Sequence, residues 1–219
     1  MLKHCLGWFL ATVALVALAL PAFGADDEGV SLFDGKSLKG WTQKNGDAKY
    51  RVEDGTIVGT TGKGNANSFL CTDKDYGDFD LTFEVKVDDP LNSGVQFRSQ
   101  STKDYDNGRV HGPQVEIAVG GSAGRVYGEA FPPYDWMCPE GDAAAKAAFK
   151  AGEWNQYRVR AVGKKIETWV NGVPVASFED EKSKMPSGFI GLQVHAIGEG
   201  EGPYQVRWRN IKIKDLSKK

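Results

Sequence analysis

The sequence predicts an all-β protein in which two antiparallel sheets pack face to face as a β-sandwich. Short extended segments recur along the chain, and clusters of Gly, Pro, Asn and Asp separate them. Apolar and polar residues alternate within these segments, which is the pattern of a sheet with one buried face. Helical periodicity is nearly confined to residues 142–150. Many short strands with frequent turns and little helix predict a two-sheet sandwich.

The segments can be placed one by one. The predicted strands are 50–52, 56–59, 79–87, 94–99, 115–119, 156–161, 166–170, 173–178, 189–194 and 204–213. Asn171 and Gly172 join two of them and predict a type I′ hairpin, because both residue types accept the positive φ angles of that turn. Asp142 precedes an Ala-rich stretch and predicts the N-cap of one or two helical turns inside a loop.

The N-terminus has the pattern of a secretory signal peptide. Lys3 and His4 precede an apolar run over 5–20, and Ala22 and Gly24 supply small residues for cleavage after Gly24. The alternative is a membrane anchor, which the shortness of the run and the acidic residues that follow it disfavour. The sequence therefore predicts removal of 1–24, one exported β-sandwich domain over 25–219, and no membrane anchor after processing.

The charge balance of the chain indicates which classes of binding partner are unfavourable. There are 27 basic and 29 acidic side chains, a net charge of −2, and they are evenly scattered. Nucleic acid and anionic membranes are therefore poor partners.

Cys71 and Cys138 remain after processing, and export permits a disulfide between them. Two buried thiols are the alternative, because distance in sequence does not set distance in space.

Three segments, 92–100, 112–119 and 189–196, share an unusual polar face. Side chains alternate along a strand, so apolar residues occupy one face of each segment and polar residues the other. The polar residues are Gln96 and Arg98, Gln114 and Glu116, and Gln193 and His195. Arg, Glu, His and three Gln at mid-strand are typical of a polar cleft rather than of an ordinary solvated face.

Aromatic and amide side chains add candidate substrate contacts. Trp169 points away from the apolar set of its own strand, and Tyr127, Tyr134 and Trp136 lie in the segment after Glu116. Flat aromatic faces are the surfaces on which sugar rings stack. The predicted substrate-binding residues are Asn92, Gln96, Gln114, Gln193, Tyr127, Trp136 and Trp169.

Glu116 is a candidate catalytic carboxylate, and a conventional glycosidase mechanism depends on whether a second carboxyl lies near it. A conventional glycosidase needs a second carboxyl about 5–10 Å away, yet the next residue on that face is Ala118, and Glu84 is the easiest remaining candidate. His195 is a candidate general base, because the unperturbed imidazole side chain has a pKa of about 6.5. A divalent metal held by His111, Glu116 and His195 stays an open alternative, although no metal-ligand spacing indicates it.

An ordered series of motifs completes the sequence evidence. The motifs are LFDG at 32–35, GW at 40–41, VEDG at 52–55, YGDFDL at 76–81, NSGV at 92–95, QVEI at 114–117, GEWN at 152–155, WVNG at 169–172, GLQ at 191–193 and RNI at 209–211. In this order they resemble the 3-keto-disaccharide hydrolase family, and the resemblance runs from about Ser31 to Leu216.

The resemblance implies a concanavalin-like jelly roll and a role in bacterial carbohydrate metabolism in the periplasm or outside the cell. It also implies action on glycosides oxidised to a ketone at carbon 3, by hydrolysis or by elimination followed by hydration. The family's functional positions fall on Asn92, Arg98, Glu116 and His195. Two departures stand out, since 118–121 lacks a carboxylate often seen there and 197–205 is longer and more acidic.

The chemistry of such a substrate agrees with the residues. A ketone at carbon 3 acidifies the proton on carbon 2, so cleavage needs one base, an enolate stabiliser and a proton donor. His195 or Glu116 could be the base, and Arg98 a fixed cation beside the enolate. The predicted catalytic residues are therefore Glu116, His195 and Arg98. A non-catalytic carbohydrate-binding module on the same fold is the competing hypothesis.

Overall fold

Fourteen β-strands and one short α-helix make up the regular structure of residues 29–132 and 135–217, which are the residues that the computed structural model describes. The strands are β1 Val30–Ser31, β2 Trp41–Lys44, β3 Lys49–Glu53, β4 Thr56–Thr60, β5 Ser68–Thr72, β6 Phe79–Val87, β7 Ser93–Ser99, β8 Gly112–Ile117, β9 Val126–Glu129, β10 Asn155–Val162, β11 Lys165–Val170, β12 Val173–Glu179, β13 Phe189–Val194 and β14 Gln205–Asp215; the helix α1 is Ala143–Lys146. The predicted signal peptide and Tyr134 lie outside the described residues.

The strands form two antiparallel sheets, as the sequence predicts. The eight-stranded sheet has the order β12-β11-β10-β6-β14-β4-β3, with β1 paired to β14, and the six-stranded sheet has the order β2-β5-β13-β7-β8-β9. Neighbours in these orders are often distant in sequence, so the chain crosses repeatedly between the sheets. No helix among residues 29–132 and 135–217 is long and apolar enough to cross a membrane.

The core lies between the two sheets and follows from the alternation of side chains. Strand β6 alternates strictly between buried and half-buried residues, and its buried positions are Phe79, Leu81, Phe83, Val85 and Val87. The facing layer comes from the six-stranded sheet and includes Val95, Phe97, Val115, Ile117, Ile190 and Leu192. Apolar burial of this extent is the main stabilising contribution to such a sandwich.

Two local predictions are confirmed by the backbone. Asn171 and Gly172 have φ angles of +50° and +80° between β11 and β12, as a type I′ turn requires. The Asp142 side chain caps α1 by accepting a hydrogen bond from the backbone N–H of Ala145 at 2.9 Å. The helix itself ends earlier than the Ala-rich stretch, at Lys146.

Four short strands escaped the sequence prediction: β1, β2, β5 and β9. Their lengths are two to five residues, too short for alternation to be recognised. In β5 all five residues are buried, so the polar and apolar alternation that marks a half-exposed strand is absent. Both cysteines are free and buried, which resolves the open question in favour of two buried thiols.

Strands β13, β7 and β8, which carry most of the polar-faced segments, are direct neighbours in the six-stranded sheet. Leu192 lies opposite Val95, and Val95 lies opposite Val115, so the apolar faces of the three strands are in register. Their other faces consequently form one continuous surface on the side away from the core. We call this surface the polar face; it includes Gln96, Gln114, Glu116 and Gln193.

Arg98 leaves the polar face, contrary to the sequence prediction. Its φ angle is +50°, and the pairing of β13 with β7 shifts register beside it, so the alternation of the strand breaks there. The guanidinium is 3% exposed and donates hydrogen bonds to the carbonyls of Gly77 at 2.8 Å and Gly163 at 2.7 Å. It also pairs with Asp78 at 3.0 Å. Arg98 therefore ties together the connections β5–β6 and β10–β11.

This placement predicts a large stability effect. Substitution R98A should lower the free energy of unfolding by about 3 kcal/mol, because it removes a buried guanidinium together with its two hydrogen bonds to carbonyls and its ion pair with Asp78. Urea unfolding measures the difference. Arg51 is the matched control, since its ion pair with Glu53 is exposed, and R51A should change the free energy of unfolding by less than about 0.5 kcal/mol. Equal effects of the two substitutions would contradict the structural role of Arg98.

Candidate functional site

A chain of hydrogen bonds runs through buried side chains on the polar face. The Ser99 hydroxyl donates to Gln96 Oε1, and Gln96 Nε2 donates to Gln114 Oε1 at 3.2 Å. Gln114 Nε2 and Asn92 Nδ2 each donate to a different carboxyl oxygen of Glu116, both at 3.3 Å. Four of the predicted site residues, from β7, β8 and the residue before β7, are thereby joined in one network.

Gly94 makes room for this network. It lies opposite Glu116 in the sheet, and a Cβ atom built on Gly94 would lie 2.2 Å from Gln114 Cδ. Any larger residue would push the Gln114 side chain off the sheet. The small residue in the NSGV motif thus has a packing role, since it lets the Gln114 amide lie flat and reach Glu116.

Burial changes the acid strength of Glu116. Its carboxyl is only 8% exposed, and removal from water raises the pKa of Glu116 to about 7. The hydrogen bonds from Gln114 and Asn92 act in the opposite direction, and the negative charge of Glu129 raises the pKa further. Near neutral pH the group is therefore divided between a carboxylic acid and a carboxylate.

Gln193 is the least satisfied polar side chain of the polar face. It is fully buried opposite Phe69 of β5, and neither its amide oxygen nor its amide nitrogen has a hydrogen-bond partner among the described residues. Asn92 Oδ1 is likewise unpartnered. Buried amides without partners are rare in folded proteins, so both groups are candidates for ligand contacts.

A cavity of about 510 Å³ opens on the outer side of the six-stranded sheet, next to the polar face; Glu129 and Phe69 line it, whereas Glu116 and His195 do not. Its lining comes from the end of β2, the start of β5, the connection between β7 and β8, and β9. The lining includes Asn45, Asn67, Phe69, Asp106, Arg109 and Glu129. The cavity combines amides, both signs of charge and one aromatic ring, and this is a typical lining for a small polar ligand.

The connection between β7 and β8 folds over the sheet and is held there by Asn45. Its side-chain oxygen accepts from the Val110 N–H at 2.7 Å, and its side-chain nitrogen donates to the Gly108 carbonyl at 3.1 Å. Val110 then packs with Phe69, Cys71 and Phe189 in a small apolar cluster on the outer side of the sheet. One wall of the cavity is therefore fixed by packing as well as by hydrogen bonds.

Asn67 and Glu129 meet above the sheet from opposite sides. Asn67 precedes β5 and Glu129 ends β9, yet Asn67 Nδ2 donates to Glu129 Oε1 at 3.3 Å. Three strands lie between β5 and β9 in the sheet order, so the sheet curves and its outer strands approach each other over a concave surface. Burial raises the pKa of Glu129, while Asn67 and the charges of His195 and Arg109 lower it.

His195 follows β13 and has a defined ring orientation. Its Nδ1 lies 2.6 Å from the Ala196 carbonyl oxygen, which can only accept, so Nδ1 carries the proton. In the neutral ring Nε2 then holds the free electron pair, as a general base requires. The adjacent Ala196 N–H donates to Asn67 Oδ1 at 2.9 Å, which connects the His195 segment to the Asn67–Glu129 pair.

Two predicted aromatic residues lie together at the β9 side of the polar face. Tyr127 is opposite Gln114, and its ring meets the Trp136 ring edge-on with centroids 5.4 Å apart. The Arg125 guanidinium lies 3.9 Å from the centre of the Trp136 ring. Both aromatic rings are half-buried, so this pair forms a fixed wall next to Gln114 and Glu116.

Two of the residues proposed from the sequence, Trp169 and Glu84, do not lie on the polar face. Trp169 and Glu84 belong to the eight-stranded sheet, where Trp169 stacks on Arg158 at 4.9 Å and Glu84 accepts from Arg209 at 2.7 Å. The prediction that Trp169 lines the cleft is therefore wrong, as is the choice of Glu84 as a carboxyl facing Glu116. Both residues face outward, but from the other sheet, and alternation alone cannot show which sheet a strand joins.

The geometry of His111, Glu116 and His195 bears on the alternative of a metal site. His111 is buried against the Tyr105 ring, with centroids 3.7 Å apart, and its Nδ1 contacts the Arg109 carbonyl. No group of three His, Cys, Asp or Glu side chains within residues 29–132 and 135–217 is arranged to hold a metal ion. The trio of His111, Glu116 and His195 is thus not assembled as a metal site.

Sequence reasoning missed Glu129 and Asn67 as site residues. A signal for Glu129 was present, because Tyr127 and Glu129 are two residues apart and share one face of an extended segment. Asn67 had no such signal, since it lies in a connection whose path depends on the curvature of the sheet.

Comparisons with solved structures agree with this fold. A candidate glycosyl hydrolase from Parabacteroides distasonis superposes with a TM-score of 0.65 at 23% identity, covering 86% of this chain and 94% of that one. A Bacillus subtilis protein of unknown function with a galectin-like fold gives 0.60 at 12% identity, over 86% and 97% of the two chains. The carbohydrate-binding module CBM66 from Bacillus subtilis gives 0.55 at 18% identity, over 80% and 95%.

These likenesses confirm the curved two-sheet jelly roll predicted from the sequence. Among curated proteins, no sequence matched this chain. The model of the 3-keto-alpha-glucoside-1,2-lyase-like domain matches residues 28–214, nearly the whole of the chain after the predicted signal peptide. The match agrees with the resemblance drawn from the ordered motifs and associates the chain with carbohydrate chemistry. The chain belongs to the family of 3-keto-alpha-glucoside-1,2-lyase-like domains.

Proposed function

We propose that this protein is a carbohydrate-active enzyme that cleaves 3-keto-glycosides by elimination across carbons 1 and 2, followed by hydration. The observation that supports the proposal is the position of Glu129: it lines the cavity, it interacts electrostatically with His195 and with the buried Glu116 carboxyl, and it is joined to the His195 segment through Asn67. A cavity of about 510 Å³ is large enough for a sugar with its leaving group.

His195 is the proposed base. The ketone at carbon 3 acidifies the proton on carbon 2, so a neutral imidazole suffices to remove it. The Ala196 carbonyl keeps the proton on Nδ1 and thereby leaves the basic electron pair on Nε2. This arrangement supports the assignment because the tautomer is set before substrate binds, at no cost during the reaction.

Glu116 is the proposed hydrogen-bond donor to the enolate oxygen. Arg98 was the sequence candidate for this role, but its donors are bound to the Gly77 and Gly163 carbonyls. A buried carboxylic acid with a pKa of about 7 can donate a proton into a hydrogen bond at neutral pH, and donors directed at developing charge give a large catalytic effect. Asn92 and Gln114 keep the carboxyl in place.

The complete sequence of bonds amounts to hydrolysis. The base takes the proton from carbon 2, the electron pair forms a carbon 1–carbon 2 double bond conjugated with the ketone, and the glycosidic oxygen leaves with a proton. Water then adds to carbon 1 while carbon 2 regains a proton. The products are the free 3-keto sugar and the alcohol, as in direct hydrolysis.

We infer that the reaction takes place outside the cytoplasm, in the periplasm or the medium. The inference rests on the signal-peptide pattern of 1–24, which lies outside the described residues. The substrate would then reach the enzyme after an oxidation at carbon 3, so the class of reaction that supplies it is the dehydrogenation of a secondary sugar hydroxyl.

A paired assay tests the function. The purified protein should release the alcohol from a 3-keto-glucoside and leave the unoxidised glucoside intact, because only the ketone acidifies carbon 2. In deuterated water the early product should carry deuterium at carbon 2, whereas direct hydrolysis would leave that position unlabelled. No release from the keto sugar, together with binding of unmodified glycans, would instead support a carbohydrate-binding module.

The proposed role of Glu116 predicts a graded loss of activity. Substitution E116A should lower kcat/KM by about 10²–10³-fold, the usual effect of removing one donor to an oxyanion. Substitution E116Q should lose less, because an amide still donates a weaker hydrogen bond. The matched control is E84Q on the eight-stranded sheet, which should retain activity within about twofold. Full activity of E116A would remove Glu116 from the mechanism.

The raised pKa of Glu116 also predicts how stability depends on pH. Between the ordinary value of 4.5 and about 7, the unfolded chain has lost this proton while the folded protein still holds it. The free energy of unfolding should therefore fall as pH rises through this range, by on the order of 2–3 kcal/mol, and then level off.

Urea unfolding of the wild type and of E116Q between pH 4.5 and 8 measures this contribution. The wild type should lose stability relative to E116Q up to about pH 7, since Gln does not titrate. Glu129 also has a raised pKa, but it is present in both proteins and largely cancels in the difference. Parallel curves would show that the Glu116 carboxyl is not held as an acid in the folded state.

A further inference from the structure

We propose that Glu129 is a further catalytic residue, the acid that protonates the leaving glycosidic oxygen, and that Asn67 is its positioning residue. This inference rests on the function proposed above and adds a step to it. The sequence offered Glu116 without a partner on its own strand, whereas the structure brings a second carboxyl to the same concave surface from β9.

The position of Glu129 suits a proton donor to a bound substrate. It lines the cavity, whereas Glu116 lies in the floor of the sheet with only 8% of its surface exposed. Asn67 Nδ2 binds one Glu129 oxygen at 3.3 Å, which leaves the other oxygen to carry and deliver a proton. The two carboxyls therefore differ in access, and the more accessible one faces the space where a leaving group would lie.

The surroundings of Glu129 support both of its charge states. Burial favours the acid form of Glu129 and raises its pKa. The positive charges of His195 and Arg109 favour the carboxylate. After the proton transfer, the new carboxylate interacts with an imidazolium that has just gained the proton of carbon 2.

Each proton that leaves one group in this step is taken up by another. His195 Nε2 takes the proton of carbon 2, the carbon 1–oxygen bond breaks, and the leaving oxygen takes the proton of Glu129. During hydration the Glu129 carboxylate removes a proton from the attacking water, whose oxygen bonds to carbon 1, and the His195 imidazolium returns a proton to carbon 2. Both groups then regain their starting protonation states.

Asn67 connects the base and the acid through one side chain. Its oxygen accepts from the Ala196 N–H at 2.9 Å, beside His195, while its nitrogen donates to Glu129. The amide therefore sets the separation between the residue after β13 and the carboxyl of β9. Loss of this side chain should misplace Glu129 relative to the base without removing either group.

The basicity of the leaving group provides the test. An alkoxide must be protonated as it leaves, whereas a nitrophenolate, whose conjugate acid has a pKa of about 7, leaves readily without a proton. For methyl 3-keto-glucoside, E129Q should lower kcat by about 10²–10⁴-fold. For 4-nitrophenyl 3-keto-glucoside, the same variant should stay within about fivefold of the wild type.

Two further variants make the test specific. Substitution E116A should reduce both substrates equally, because an enolate donor acts before the leaving group matters. Substitution N67A should follow the pattern of E129Q with a smaller loss, whereas a purely structural role for Asn67 would slow both substrates alike. Thermal unfolding confirms that each variant is folded. If E129Q does not fold, E129A replaces it in the assay, and E129D, which keeps the acid, should recover part of the activity on the methyl glycoside.

The outcomes separate this inference from the function on which it rests. Wild-type protein that cleaves neither keto-glycoside overturns the proposed function itself. Wild-type protein that cleaves both, with an E129Q variant that is unimpaired or equally impaired on the two substrates, overturns only the role of Glu129. A loss confined to the methyl glycoside supports the assignment.

Discussion

The hydrogen-bonded adjacency of β13, β7 and β8 is the constraint on which the candidate site depends. Each strand alternates apolar and polar side chains, and burial of Leu192, Val95 and Val115 in one core fixes which way all three face. A shift of one residue in any pairing would exchange the two faces and bury the polar set in the core. The packing energy of the core thus also maintains the polar face.

Burial gives the polar groups their chemical character. Glu116 and Glu129 have raised pKa values chiefly because the curved sheet and the β7–β8 connection remove them from water. The same burial would be costly if the groups were unpaired, and the amides of Asn92, Gln114 and Asn67 offset part of that cost. The unpartnered Gln193 amide remains the group with most to gain from a ligand.

The positive φ angle of Arg98 and the curvature of the six-stranded sheet change which residues belong to the proposed site. A positive φ angle moves Arg98 from the polar face to the loop carbonyls, where it stabilises the fold instead of the site. Curvature brings Glu129, at the end of a short outer strand, into contact with Asn67 before β5. The proposed site therefore combines two carboxyls and an imidazole, with the exposed Arg109 as a nearby cation.

The sequence by itself determined the all-β class, most strands, the Asn171–Gly172 hairpin and the faces on which Gln96, Gln114, Glu116 and Gln193 lie, because period-2 alternation and turn chemistry are local properties. Its ordered motifs also determined the family. Only the tertiary structure decided that three polar strands are neighbours, that Trp169 and Glu84 belong to the other sheet, that Arg98 faces the loops, and that Asn67 meets Glu129. Strand order, bulges and curvature arise from long-range packing, which no local pattern of residues contains.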